Sequence, residues 1–293
     1  MEKQNVSVRE QGFKTGVLFN VFIAANLIFL FLLQAIANTV CERYTSAHYL
    51  LVSLSTVFAL AAVLIVGKTV FGFNAKNLMV VRRFSRTFSG LAIVLSFGML
   101  FGLGFINEAF VRLLSAIGLK VNGFTWVRSG TGDYLIGILA LCVIPAVFEE
   151  LFFRGVLLSC LKNTGIILSS VITALFFALY HGSAAQLIYQ FIYGFFLSVM
   201  TWRANSVYPA IISHFLNNFA VLSFEYFGIA VNFFSITFIL MGIAFLVSFA
   251  FIMLLFKRSA AKREKGAVKA AFFPFGIIGV LICVAMIVLG FFA

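Results

Sequence analysis

Charge is scarce in this 293-residue chain. Asp, Glu, Lys and Arg make up 10% of it, against roughly 25% in ordinary soluble domains, which excludes a typical water-soluble globule. Proline is rarer still, at three residues, and with so little charge a disordered or Pro-rich chain is excluded too. The four cysteines, Cys41, Cys142, Cys160 and Cys283, show no CxxC spacing, so neither a disulfide framework nor a zinc ribbon is legible. There is a single Asp, Asp133, and it lies outside the apolar runs, which disfavours a Ser-His-Asp triad. No HExxH occurs, so no metal ligand set and no cofactor is assigned; a metal held across several helices stays open.

What the chain has instead is apolar length. Hydrophobic residues are 63% of it, arranged in long runs with short polar gaps, the pattern of a polytopic helical membrane protein. The weak alternation of a transmembrane β-barrel is absent. The fold class expected is all-α, a transmembrane bundle of about nine spans, each near the ~20 residues a bilayer requires. They run Gly16–Ala37, Leu50–Phe71, Gly90–Asn107, Tyr134–Leu158, Gly165–His181, Gln186–Trp202, Tyr208–Phe227, Phe234–Phe256 and Phe273–Phe292. The first is too long for a signal-peptide core of about 7–15 residues. The chain divides into N-terminal helices over 1–133, a catalytic core over 134–227 and C-terminal helices over 228–293.

The net charge of +12 does not indicate a nucleic-acid partner. Lys76, Arg82, Arg83 and Arg86 crowd the gap after the second span, and a Lys/Arg-rich run from Lys257 to Lys269 follows the eighth. The positive-inside rule puts both in the cytoplasm, with the N-terminus, in a multi-pass protein of the cell membrane. Lipid is the expected partner. Gly98 and Gly102 form a small-xxx-small pair suited to close helix contact, though a chance pair reads the same way.

Against this background, Pro145-Ala-Val-Phe-Glu149-Glu150-Leu-Phe-Phe-Arg154 places three charges inside an apolar run. Each costs about 3 kcal/mol or more near a bilayer centre, so function is the default explanation, with a topology anchor at the membrane edge as the alternative. Residues four apart share a helix face and neighbours do not. Arg154 can therefore neutralise Glu150, leaving Glu149 to face a cavity as a general base. Of three histidines, His181 and His214 lie in apolar segments, and His accepts and returns protons near neutrality. His214 and Asn218 are four apart and can donate together to a developing oxyanion, or simply bond between helices. Asn217, about 100° away, reads as a packing residue. Counted at 1.5 Å per residue, Glu149, His181 and His214 lie roughly 20, 25 and 14 Å deep, compatible with one site if helices tilt.

Together Glu149-Glu150-Leu-Phe-Phe-Arg154, Phe177-Ala-Leu-Tyr-His181 and His214-Phe-Leu-Asn-Asn218 resemble the EExxxR, FxxxH and HxxxN motifs of the CPBP family, the Abi or CAAX-protease-like intramembrane proteins. The resemblance covers Tyr134 to Phe227. It implies a glutamate-type intramembrane endopeptidase with no required metal, acting on a peptide or membrane-associated protein. In that family's terms Glu149 and His181 activate a water, His214 and Asn218 hold the oxyanion, and Glu150 and Arg154 keep the site in shape. A non-catalytic scaffold or immunity-type binding protein is the alternative. A transporter ranks last, for want of inverted repeats. A catalytic site within the bilayer needs water, and the cavity is expected to open toward the cytoplasm.

Overall fold

The computed structural model describes residues 8–74, 86–119, 126–127, 130–161, 164–255 and 276–289. Among them the chain is all-helical. The helices are α1 (Val8–Val40), α2 (Ser46–Phe71), α3 (Arg86–Ala116), a composite α4 (Thr131–Cys160), α5 (Ile166–Tyr180), α6 (Leu187–Ala204), α7 (Tyr208–Phe227), α8 (Ile236–Leu255) and α9 (Ile277–Leu289).

Local chemistry sets several of the ends. Thr45 caps α2 by accepting a hydrogen bond from the His48 N–H at 3.3 Å. Pro209 opens the first turn of α7, where its missing N–H is not needed. Asn205 ends α6 in the left-handed region, a conformation Asn tolerates better than most residues.

Among the described residues six stretches are long and apolar enough to cross a membrane: Gly12–Val40, Ser46–Phe71, Arg86–Ala116, Thr131–Cys160, Ala184–Ala204 and Ile236–Leu254. The expected count was nine. The difference has physical causes. The 15 residues of α5 reach only about 22 Å at 1.5 Å per residue, short of the ~30 Å hydrocarbon core. The described part of α9 is 13 residues, and the expected span Phe273–Phe292 lies partly outside the described residues. α7 has 20 residues, but Ser213, His214, Asn217 and Asn218 dilute its apolarity. The architecture is that of a multi-pass membrane bundle whose apolar exterior, such as Leu240, Val247, Phe251 and Leu254 on α8, suits contact with lipid.

Packing places α4 at the centre. Because lipid is as apolar as Leu, helices in a bilayer associate through close fit rather than through a hydrophobic drive. Phe22 of α1 stacks on Phe152 of α4 with centroids 3.7 Å apart, and Phe19 stacks on Phe176 of α5 at 4.1 Å; such pairs contribute about 0.5–1.5 kcal/mol each. On the other flank α3 meets α8 through glycine. A Cβ on Gly102 would lie 2.6 Å from the backbone carbonyl carbon of Gly242, and one on Gly98 would lie 3.1 Å from Phe245. The small-residue pair is therefore a helix contact. Gly102→Val is expected to force α3 and α8 apart and to lower stability by about 1–3 kcal/mol, read as a lower melting temperature in detergent; an unchanged melt would show that the pair is not closely packed.

α4 is not a uniform α-helix. Two π-helical stretches, Ile138–Val143 and Leu151–Leu157, flank a normal segment, Ile144–Glu150. π turns inside α-helices cluster at functional sites. Pro145 has no N–H to give to the carbonyl four residues earlier, that of Leu141. Asn218 of α7 supplies a donor there, its Nδ2 lying 3.1 Å from the Leu141 oxygen.

Candidate functional site

Glu150 and Arg154 both sit at 0% exposure. Arg154 Nη1 donates to Glu150 Oε1 at 2.8 Å, and Nη2 donates to the Gly194 carbonyl at 3.1 Å. Gly194 permits this approach, since a Cβ there would stand 3.1 Å from Nη2. The guanidinium also lies over the Phe177 ring, 4.2 Å from its centroid, a cation–π contact that gains strength when desolvated. His214 of α7 is a second partner for the same carboxylate oxygen: its Nδ1 is 2.9 Å from Glu150 Oε1. The helical spacing foresees the Arg154 pair. It does not foresee His214, which comes from another helix.

Glu149 has no such partners. It is 7% exposed, its Oε2 has no hydrogen-bond partner, and it lines a cavity of about 740 Å³. His181, His214 and Asn218 line the same cavity. His181 lies one residue past α5, with Nδ1 2.8 Å from the Phe177 carbonyl. A carbonyl only accepts, so Nδ1 carries the proton and Nε2 is left as an acceptor. Phe177 is shared wall: its ring lies 4.6 Å from that of His181 and 5.8 Å from that of His214. His214 is further fixed through its helix, where Ser213 bonds to Tyr193 at 2.9 Å and to Ser96 at 3.0 Å.

The structure thus brings Glu149, His181, His214 and Asn218 to one cavity and puts Glu150 and Arg154 behind it. Asn217, read from the sequence as a packing residue, also lines the cavity and accepts from the Tyr189 hydroxyl at 2.6 Å. Asn107, Glu108, Gln186, Tyr189 and Gln190 complete the polar lining. A polar residue near the end of an apolar run is the only signal the sequence offers for them. Among the described residues no group of three or more His, Cys, Asp or Glu stands close enough together to hold a metal ion.

Residues 131–220 match the family described as type II CAAX prenyl endopeptidase Rce1-like. Over these residues the chain is similar to the CAAX-protease family. The match spans the composite α4, α5, α6 and most of α7, and it includes all seven motif residues. Together with the buried Glu150–His214 pair it supports a hydrolase of the CAAX-protease kind. No curated protein matches the chain.

Proposed function

We propose that the protein is an intramembrane endopeptidase of the cell membrane, with its catalytic unit within residues 134–227, that hydrolyses a peptide bond in a membrane-associated protein or peptide. The observation that carries this reading is the single cavity lined by Glu149, His181, His214 and Asn218.

In this mechanism a water sits between Glu149 and His181. The Glu149 carboxylate takes a proton from it while His181 Nε2 accepts the other O–H and orients the oxygen. The water oxygen bonds to the scissile carbonyl carbon, and the carbonyl π electrons move onto oxygen. His214 gives Nδ1–H to Glu150, so Nε2 carries the second proton when the ring is the imidazolium, and in that form it donates to the oxyanion. Asn218 keeps one amide hydrogen for the Leu141 carbonyl and turns the other toward the cavity. The oxyanion collapses, the C–N bond breaks, and Glu149 returns its proton to the leaving amine. Arg154 and Glu150 hold His214 in place without touching substrate.

Glu149→Gln tests the reading directly, in reconstituted protein given membrane-anchored peptides. A second substitution addresses the oxyanion. Asn218→Ala is expected to lower kcat about 10²–10³-fold with little change in KM, as for other oxyanion donors. A rise in KM alone would assign Asn218 to binding instead.

A further inference from the structure

We infer that the cavity fills from the non-cytoplasmic side of the membrane, so that its substrate is a polypeptide segment presented on that face. The identity of the guest as a peptide rests on the peptidase reading; the side from which the cavity fills does not.

The bundle has two ends that its contacts define. At one, Lys14 at the start of α1 stands 5.9 Å from the ring centroid of Phe71 at the end of α2. Trp202 near the end of α6 donates to Ser169 at the start of α5, at 2.9 Å. Phe88 of early α3, Met200 of late α6, Ala210 of early α7 and Met253 of late α8 share one buried cluster. At the other end, Trp126 donates to Ser46 of α2 at 2.9 Å, and the Ser46 N–H donates to Asp133 of α4 at 3.2 Å. Tyr134 of early α4 lies 2.9 Å from Ser223 and stacks on Tyr226, both of late α7.

The cavity runs toward the second end on every helix that lines it. Its lining extends from Leu100 to Val111 along α3, from Glu149 back to Leu141 along α4, and from His214 forward to Leu222 along α7. It continues over Gln186, Tyr189 and Gln190 at the start of α6, and over Val231 and Phe233 between α7 and α8. On α3 alone that is about 16 Å of axial rise. Gln186 is exposed, and Glu108, paired with Arg112, keeps 34% of its side chain exposed.

The charges divide between these ends. Of 21 Lys and Arg, Arg154 is buried in the site, and only Arg43, Arg112, Lys120 and Arg128 belong by chain position to the cavity end. Glu42, Glu108, Asp133 and Glu225 accompany them there. The remaining Lys and Arg flank or join helices at the opposite end. Positive-inside bias then places that end in the cytoplasm and the cavity mouth outside. That placement departs from the expectation of a cavity open toward the cytoplasm. A lipidated C-terminus made in the cytosol would meet the end of the bundle away from the cavity.

The test is single-cysteine labelling of the full chain in intact bacteria with a membrane-impermeant maleimide. The four native cysteines are replaced by Ala. Ile229→Cys, exposed at the cavity end, is expected to react in intact cells, and Lys265→Cys only after permeabilisation. The reverse pattern overturns the inference while leaving the peptidase reading intact, because labelling requires no activity. If the cysteine-free chain does not fold, an epitope inserted after Gly228 of the otherwise native chain serves instead. Antibody binding on intact cells supports the inference, and binding only after permeabilisation overturns it.

Discussion

Glu149→Gln is expected to remove hydrolysis and to leave the fold standing. Loss of a positioned general base costs about 10²–10⁴-fold, and in the proposed mechanism the same carboxylate also returns the proton to the amine, so the upper part of that range is expected. Gln keeps the shape of Glu. The oxygen it alters, Oε2, has no hydrogen-bond partner, so the substitution breaks no internal bond there. The measurement is peptide release by reconstituted protein, paired with a detergent melt. A variant that melts like the parent and cleaves at the parent's rate would remove Glu149 from the chemistry.

Arg154→Met has the opposite signature: its first effect is on stability. Glu150 would remain fully buried with only His214 to face it. Removing one partner of a buried ion pair costs about 3–5 kcal/mol, whereas replacing both by apolar or neutral groups is often close to neutral. The single variant should therefore melt well below the parent. The double variant Glu150→Gln/Arg154→Met should recover most of that loss without recovering activity, because His214 loses the carboxylate that holds its Nδ1. Arg154→Lys should not rescue, since one ammonium cannot reproduce the two-pronged contact with Glu150 and the Gly194 carbonyl. A single variant as stable as the parent would show that Arg154 does not carry the buried charge of Glu150.

Much of this site was legible because helical periodicity reports the faces of one helix. The four-residue step from Glu150 to Arg154 and the offset of Glu149 from it are of that kind, and so is the Gly98–Gly102 stripe. The Glu150–His214 bond was not legible, because periodicity says nothing about how one helix is turned against another 64 positions away. Depth gave only a loose guide, a spread compatible with one site, for a related reason. Counting rises assumes that every helix starts in one plane and keeps one pitch, and α4 changes pitch twice. The number of spans was overread because α5 is short and α7 spends its polar residues on the cavity wall. The direction of the cavity needed the lining of four helices at once, which no single segment encodes.

The two π stretches of α4 set the rotational phase between its ends. Each wide turn takes up about one residue more than an α turn would, so the helix beyond it keeps nearly the phase of a uniform α-helix one residue shorter. Loss of one residue from Ile138–Val143 could therefore be absorbed by a return to α geometry, leaving Glu149 in phase with Asp133 and Tyr134, which anchor α4 to α2 and α7. Loss of one residue from the normal segment before Glu149, between Ile144 and Phe148, has no such slack and would swing the carboxylate by about 100° while sparing every motif letter.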